Sequence, residues 1–274
     1  MTRSRLTSWC GASGFCRETL EALYAAYNRR EFVHPDPLEF VLEYSHPPDR
    51  EVVGLVAASL AYGRVRQILK SVAQVLSLMG GVPSQFVREH SHGELQETFK
   101  EFRHRFTGGG QLAGLLYGIG RVMARYGSLE SCFRKHCRPE SDTFLPALTA
   151  FVAELRAEIP CAVDMLVPRP EKGSACKRLN LFLRWMVRHD EVDPGGWHRL
   201  DPCRLIVPLD THMHRLGLEA GLTCRRQGDM RTALEVTRAF RAIAPDDPVR
   251  YDFALTRLGI RGIEDEPDSA MSGS

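Results

Sequence analysis

Apolar residues recur at intervals of three and four through almost the whole chain, and that period limits the fold more than any other feature. In RETLEALYAAYNRR, Leu20, Leu23, Tyr24 and Tyr27 fall at helical spacing. DREVVGLVAASLAYG and VRQILKSVAQVLSLMGG predict a helix pair, broken at Gly63 and ended by Gly80-Gly81. GQLAGLLYGIGRVMARYG, DTFLPALTAFVAELRAEI, SACKRLNLFLRWMVRHD, MRTALEVTRAF and DPVRYDFALTRLG repeat the pattern. Strand-like alternation is scarce, and the sequence carries no internal repeat or coiled coil. The expected fold class is all-α.

With 274 residues the chain can bury one large core or two modest ones. No apolar run reaches the roughly 20 residues of a membrane span, and the first residues have no apolar stretch of signal-peptide length. The expectation is a cytoplasmic monomer with no membrane partner. Eight cysteines are scattered without a CxxC pair, which argues against a zinc ribbon; Cys10 and Cys16 read as loose thiols near a frayed start. The acidic tail 264–274 also reads as frayed. A net charge of +2 does not suit a generic polyanion binder. Charge is uneven, however. Between Leu166 and His189 stand Arg169, Lys172, Lys177, Arg178, Arg184 and Arg188 against one acid, Glu171. Such a stretch suits phosphate contacts, although a solvated helix face has the same composition.

The stretch IVPLDTHMHRLG (206–217) packs Asp210, His212, His214 and Arg215 together. Asp-x-His-x-His resembles the metal ligands at strand ends of amidohydrolase-type barrels, but the segment that follows reads as helical. Two histidines two apart on a helix point about 200° apart and cannot share an ion. His189-Asp190 offers a second metal reading, that of all-α phosphohydrolases of the HD type. A third makes Asp210 the N-cap of a short helix, accepting hydrogen bonds from its first free N–H groups, with the helix dipole favouring the ionised carboxyl.

A fourth reading rests on resemblance. VPLDTHMHRLGLEAGL resembles the segment carrying the catalytic Asp in the helix–hairpin–helix DNA glycosylases, the endonuclease III superfamily. Upstream, GSACKRLN is similar to that family's hairpin, Gly-x-Gly-x-Lys-Thr-Ala-Asn, with Gly173, Lys177 and Asn180 in matching places. FVLEYSHPPDREVVGLVAASLAYGRVRQILKSVAQVL is similar to the early helices, where Tyr62, Gly63 and Arg64 take the place of residues that wedge into DNA. The chain departs from the pattern too. Ala175 stands where the second hairpin glycine belongs, so backbone approach to a phosphate is less free. Arg178-Leu179 replaces Thr-Ala, and the four-cysteine iron–sulfur run is missing, so no cluster or other cofactor is implied. The 33 residues from Lys177 to Asp210 exceed the endonuclease III spacing and resemble the archaeal 8-oxoguanine glycosylases. The chain also resembles an uncharacterised bacterial family near this superfamily.

The resemblance implies two lobes, a helical barrel with the hairpin over 40–189 and a second lobe from 1–39 and 190–274, with a groove between them. It implies double-stranded DNA with a damaged base, 8-oxoguanine-like, as partner and no metal. A base must leave the duplex before its glycosidic bond can break. Asp210 would then stabilise the cationic sugar. Lys177 would attack C1′ to form a Schiff base that permits strand cleavage as an AP lyase, its amine tuned by Arg178 and Lys172. Gly173, Ala175, Lys172 and Arg178 would hold the backbone, Tyr62 and Arg64 would fill the vacated stack, and Trp197 and Trp185 would line a base pocket; Phe182 reads as core. The alternatives are a non-catalytic DNA-binding protein of the same fold and an all-α metal-dependent phosphohydrolase.

Overall fold

The helical period is realised as thirteen α-helices, three short 3-10 turns and one two-stranded hairpin among the described residues. The protein is all-α. The computed structural model describes residues 15–264, with side chains through 258; Cys10 and the tail beyond Glu264 lie outside them. The helices are α1 (Arg17–Tyr27), α2 (Leu38–Val41), α3 (Pro47–Leu60), α4 (Val65–Met79), α5 (Pro83–Glu89) and α6 (His92–Thr98). The hairpin strands β1 (Arg103–His104) and β2 (Thr107–Gly108) follow. Then come α7 (Gly109–Tyr126), α8 (Leu129–Lys135), α9 (Leu145–Ala157), α10 (Lys177–Val187), α11 (Thr211–Glu219), α12 (Met230–Ile243) and α13 (Asp252–Glu264). No described helix is long and apolar enough to cross a membrane.

The centre is α3, buried on all sides from Glu51 to Leu60. A helix apolar all round has to be enclosed by others, and α10 is one that encloses it. Gly54 makes the fit close: a Cβ added there would stand 3.0 Å from Met186 Cε and 3.4 Å from the Phe182 ring. The chain leaves α3 at Ala61, turns at Gly63 (φ +98) and re-enters helix at Val65, so the break expected at Gly63 is present.

The two ends of the described chain pack together, α1 against α13. Glu21 accepts hydrogen bonds from Arg250 at 3.0 and 3.1 Å and from the Tyr251 hydroxyl at 2.8 Å. One apolar cluster runs from Leu20 through α3 and α10 to Leu255.

Candidate functional site

Lys177 and Asp210 meet although 33 residues separate them, because each opens a helix and the two openings converge. Lys177 is the first residue of α10 and Asp210 the N-cap of α11, where its carboxylate accepts the Met213 N–H at 2.7 Å. Lys177 Nζ lies 3.1 Å from Asp210 Oδ2, with the side chains 37% and 27% exposed. The pair is therefore sheltered yet open to a ligand. Burial pushes the Asp210 carboxyl up, but the Lys177 ammonium and the Met213 N–H outweigh it and hold the group below the usual carboxylate range. Asp210 is thus a capping residue and an ionised neighbour of an amine at once.

The turn before Lys177 differs from the expected one. The helix starts at Lys177, because Gly173 (φ +82) and Cys176 (φ +47) are both left-handed and interrupt the helical run. Gly173 donates its N–H to the Pro170 carbonyl at 3.0 Å and accepts from Met230 N–H at 3.0 Å, so its N–H is engaged within the protein. Ala175 is buried and its carbonyl accepts from the Asn180 side chain at 3.0 Å. Lys172 is exposed. Cys176 supplies no side-chain cap to α10.

The basic stretch 166–189 is not a surface patch. Arg184 and Arg188 are buried, at 3% exposure each. Arg184 reaches Asp252 at 2.5 Å and Asp193 at 3.0 Å; Arg188 reaches Asp190 and Asp247, each at 2.8 Å, and also Asp193. Buried cations of this kind need such partners. Asp252, at the start of α13, is pushed up by burial and held down by Arg184, with Asp210 and Lys177 among its weaker influences. The buried network therefore sits within electrostatic reach of the exposed pair. Arg169 is satisfied by Asp164 at 3.7 Å.

Arg178 turns away from Lys177. It donates to the carbonyls of Ser59 (2.6 Å) and Met165, and its guanidinium covers the Tyr62 ring at 4.9 Å. The Tyr62 hydroxyl donates to the His104 carbonyl at 3.0 Å and shares a second bond of 2.7 Å with the Thr107 hydroxyl. Tyr62 thus joins α10 to the β-hairpin, and its ring face is already occupied. Arg64 is exposed as the N-cap residue of α4.

The tryptophans also differ from expectation: both rings are enclosed in the core. Trp185 and Trp197 are 0% and 1% exposed. The polar loop after α10 folds back over the helix end, with Gly195 and Trp197 donating their N–H groups to Trp185 and Met186 carbonyls. That fold-back inserts the Trp197 ring between Phe133 and Phe182, and its indole N–H donates to Glu51 at 2.8 Å. Phe182 is core, as expected. A surface depression of about 250 Å³ at α9 and α12, lined by Asp142, Thr143, Leu234 and Arg238, contains neither Lys177 nor Asp210.

The histidines of the metal readings have other partners. His212 Nδ1 lies 3.2 Å from the Arg215 guanidinium, His214 Nε2 bonds the Arg225 carbonyl, and His189 Nδ1 bonds the Pro194 carbonyl. Among the described residues no group of three His, Cys, Asp or Glu side chains could hold a metal ion.

Fold and site define an all-α protein whose lysine and aspartate, each at a helix start, form one partly exposed pair. The chain belongs to the family described as Protein of unknown function (DUF2400), which matches residues 36–261. The comparisons with curated proteins and with solved structures return no match.

Proposed function

We propose that the protein is a DNA glycosylase with AP-lyase activity, acting on duplex DNA with an oxidised, 8-oxoguanine-like base and using Lys177 as the Schiff-base amine. The observation that carries this reading is the 3.1 Å approach of Lys177 Nζ to Asp210 Oδ2. An amine nucleophile and a carboxylate held this close, both reachable from solvent, suit attack on a sugar carbon that becomes cationic as its base departs. In the chemistry, the glycosidic bond breaks and the base takes its electron pair. Asp210 stabilises the developing charge at C1′. Lys177, its ammonium proton passed to the departing base, bonds C1′. The C1′–O4′ bond then breaks as the added amine gives a proton to O4′, leaving a Schiff base, and loss of the C2′ proton expels the 3′ phosphate.

The competing reading, a DNA-binding protein without chemistry, draws on the burial of Trp185 and Trp197, which leaves neither free to hold a base in this conformation. Borohydride separates the two. Wild type, Lys177→Gln and Asp210→Asn are incubated with duplexes that each carry one modified base or an abasic site, and reductant is added. A covalent protein–DNA band in wild type that disappears in Lys177→Gln is expected. Binding of these duplexes with no trapped or cleaved product would sink the enzyme reading.

A further inference from the structure

The described residues hold two non-glycine positions at positive φ, Cys176 (+47) and Arg105 (+52). Backbone held in this sparsely populated region is worth attention where it lies near a site. Cys176 immediately precedes Lys177. Arg105 is the first of the two turn residues, Arg105-Phe106, that close the hairpin of β1 and β2, with His104 opposite Thr107 and Arg103 opposite Gly108. Glycine is the ordinary occupant of a positive-φ turn position. With arginine there, the hairpin ends in a guanidinium beside a phenyl ring, 5.6 Å from its centroid.

Phe106 is 72% exposed, the highest value among the exposed large hydrophobic residues. An aromatic ring standing in water at a turn tip contributes nothing to the core. Its surroundings are basic. Arg64, Arg66, Arg103 and Arg105 are all exposed and, among the described residues, none makes an ion pair, while the acid nearest the hairpin in sequence is Glu101. Arg105 also lies across the backbone of Gly63, where an added Cβ would come within 2.7 Å of its Cδ.

The tip is exposed but its base is fixed. His104 is fully buried, with Nδ1 2.8 Å from the Ser71 hydroxyl and Nε2 3.1 Å from the Tyr62 carbonyl. Tyr62 bonds both strands and lies beneath Arg178, the neighbour of Lys177 on α10. A continuous set of contacts therefore runs from the lysine of the pair to the hairpin.

We infer that the hairpin 103–108 is a stacking wedge, with Phe106 entering a DNA duplex at an unpaired position while Arg64, Arg66, Arg103 and Arg105 hold the flanking phosphates. An exposed ring suits a base face whatever the base, unpaired cations suit phosphate, and a rigid support lets the ring displace a base rather than fold away. This inference takes DNA as the ligand from the function proposed above, but does not need Lys177 to react.

The test uses the full chain and two duplexes, one fully paired and one with a tetrahydrofuran abasic analogue that cannot be cleaved. Phe106→Ala is expected to weaken binding of the abasic duplex by about tenfold and of the paired duplex by less than about twofold. Phe106→Trp is expected to retain the preference, with its emission quenched on binding. Arg66→Gln with Arg103→Gln is expected to reduce the salt dependence of binding by about two phosphate contacts. Because the ring is exposed, none of these changes touches the core. An unchanged preference in Phe106→Ala, or no quenching of Phe106→Trp in a formed complex, overturns the wedge and leaves the glycosylase reading standing if trapping persists. Absence of trapping with the Phe106 effects intact overturns the glycosylase and leaves the wedge. Failure of wild type to bind either duplex overturns both.

Discussion

Asp210 does two things with one carboxylate, and the two can be separated by substitution. As an N-cap it accepts the Met213 N–H; as a counter-ion it faces Lys177. Asparagine caps a helix about as well as aspartate but carries no charge. Asp210→Asn is therefore expected to change stability by less than about 1 kcal/mol, whereas Asp210→Ala loses the cap and costs about 1 kcal/mol more. Both are expected to abolish borohydride trapping on the duplexes that carry a modified base. If Asn kept the trapped product and Ala lost it, the residue would act only as a cap. The pH dependence has a definite sign. The folded carboxyl lies below its ordinary 3.8, so its contribution is fully present above that pH and is lost as pH falls through the folded value. Thermal melts from pH 3 to 7 should show an acid-side loss in wild type that is smaller in Asp210→Asn.

Among the elements, Glu51 ties together three that are far apart in sequence. From within α3 it accepts the Leu129 and Glu130 N–H groups at 2.8 and 2.9 Å, which caps α8, and the Trp197 indole N–H at 2.8 Å. Burial pushes its carboxyl up to about 7 against the pull of these three donors. A raised folded value means that its contribution is complete below the ordinary 4.5 and is lost as pH rises through about 7. Glu51→Gln turns an amide toward an N–H that needs an acceptor, and should cost about 1–3 kcal/mol. It should also flatten the fall in stability between those two pH values, as measured by denaturation across the range. Helix periodicity made α1, α3, α4, α7, α9, α10, α12 and α13 legible in the sequence, and the cap at Asp210 with them. Glu51 was hidden because one acid in an apolar run does not reveal the donors it will meet. The hairpin escaped because strands of two residues are too short to set up an alternation. Trp197 misled because its neighbours His198 and Arg199 face water while the loop folds its ring inward. The pairing of Lys177 with Asp210 came through resemblance rather than pattern, since spacing alone does not bring two helix starts together.

In the whole molecule, the pair depends on a support that neither residue touches directly. Lys177 stands on α10, which is joined through Arg184 to Asp252 at the start of α13 and to Asp193 in the loop after α10. Asp210 stands at the head of α11, which also packs against α13. Helix α13 is thus common ground for both partners, and Arg184 is the residue that fixes one of them to its start. Arg184→Met keeps most of the side-chain volume but leaves Asp252 buried without its cation, which should cost about 3–5 kcal/mol. Asp193 still has Arg188. Combining Arg184→Met with Asp252→Asn removes the orphaned charge and should recover part of that loss, measurable as a coupling term in a double-mutant cycle. The decisive comparison is made at a temperature where every variant is folded. If the network positions the pair, Arg184→Met slows trapping by at least about tenfold with duplex affinity unchanged. An unchanged trapping rate in a destabilised but folded variant would mean that the network holds the fold together and the pair needs no help from it.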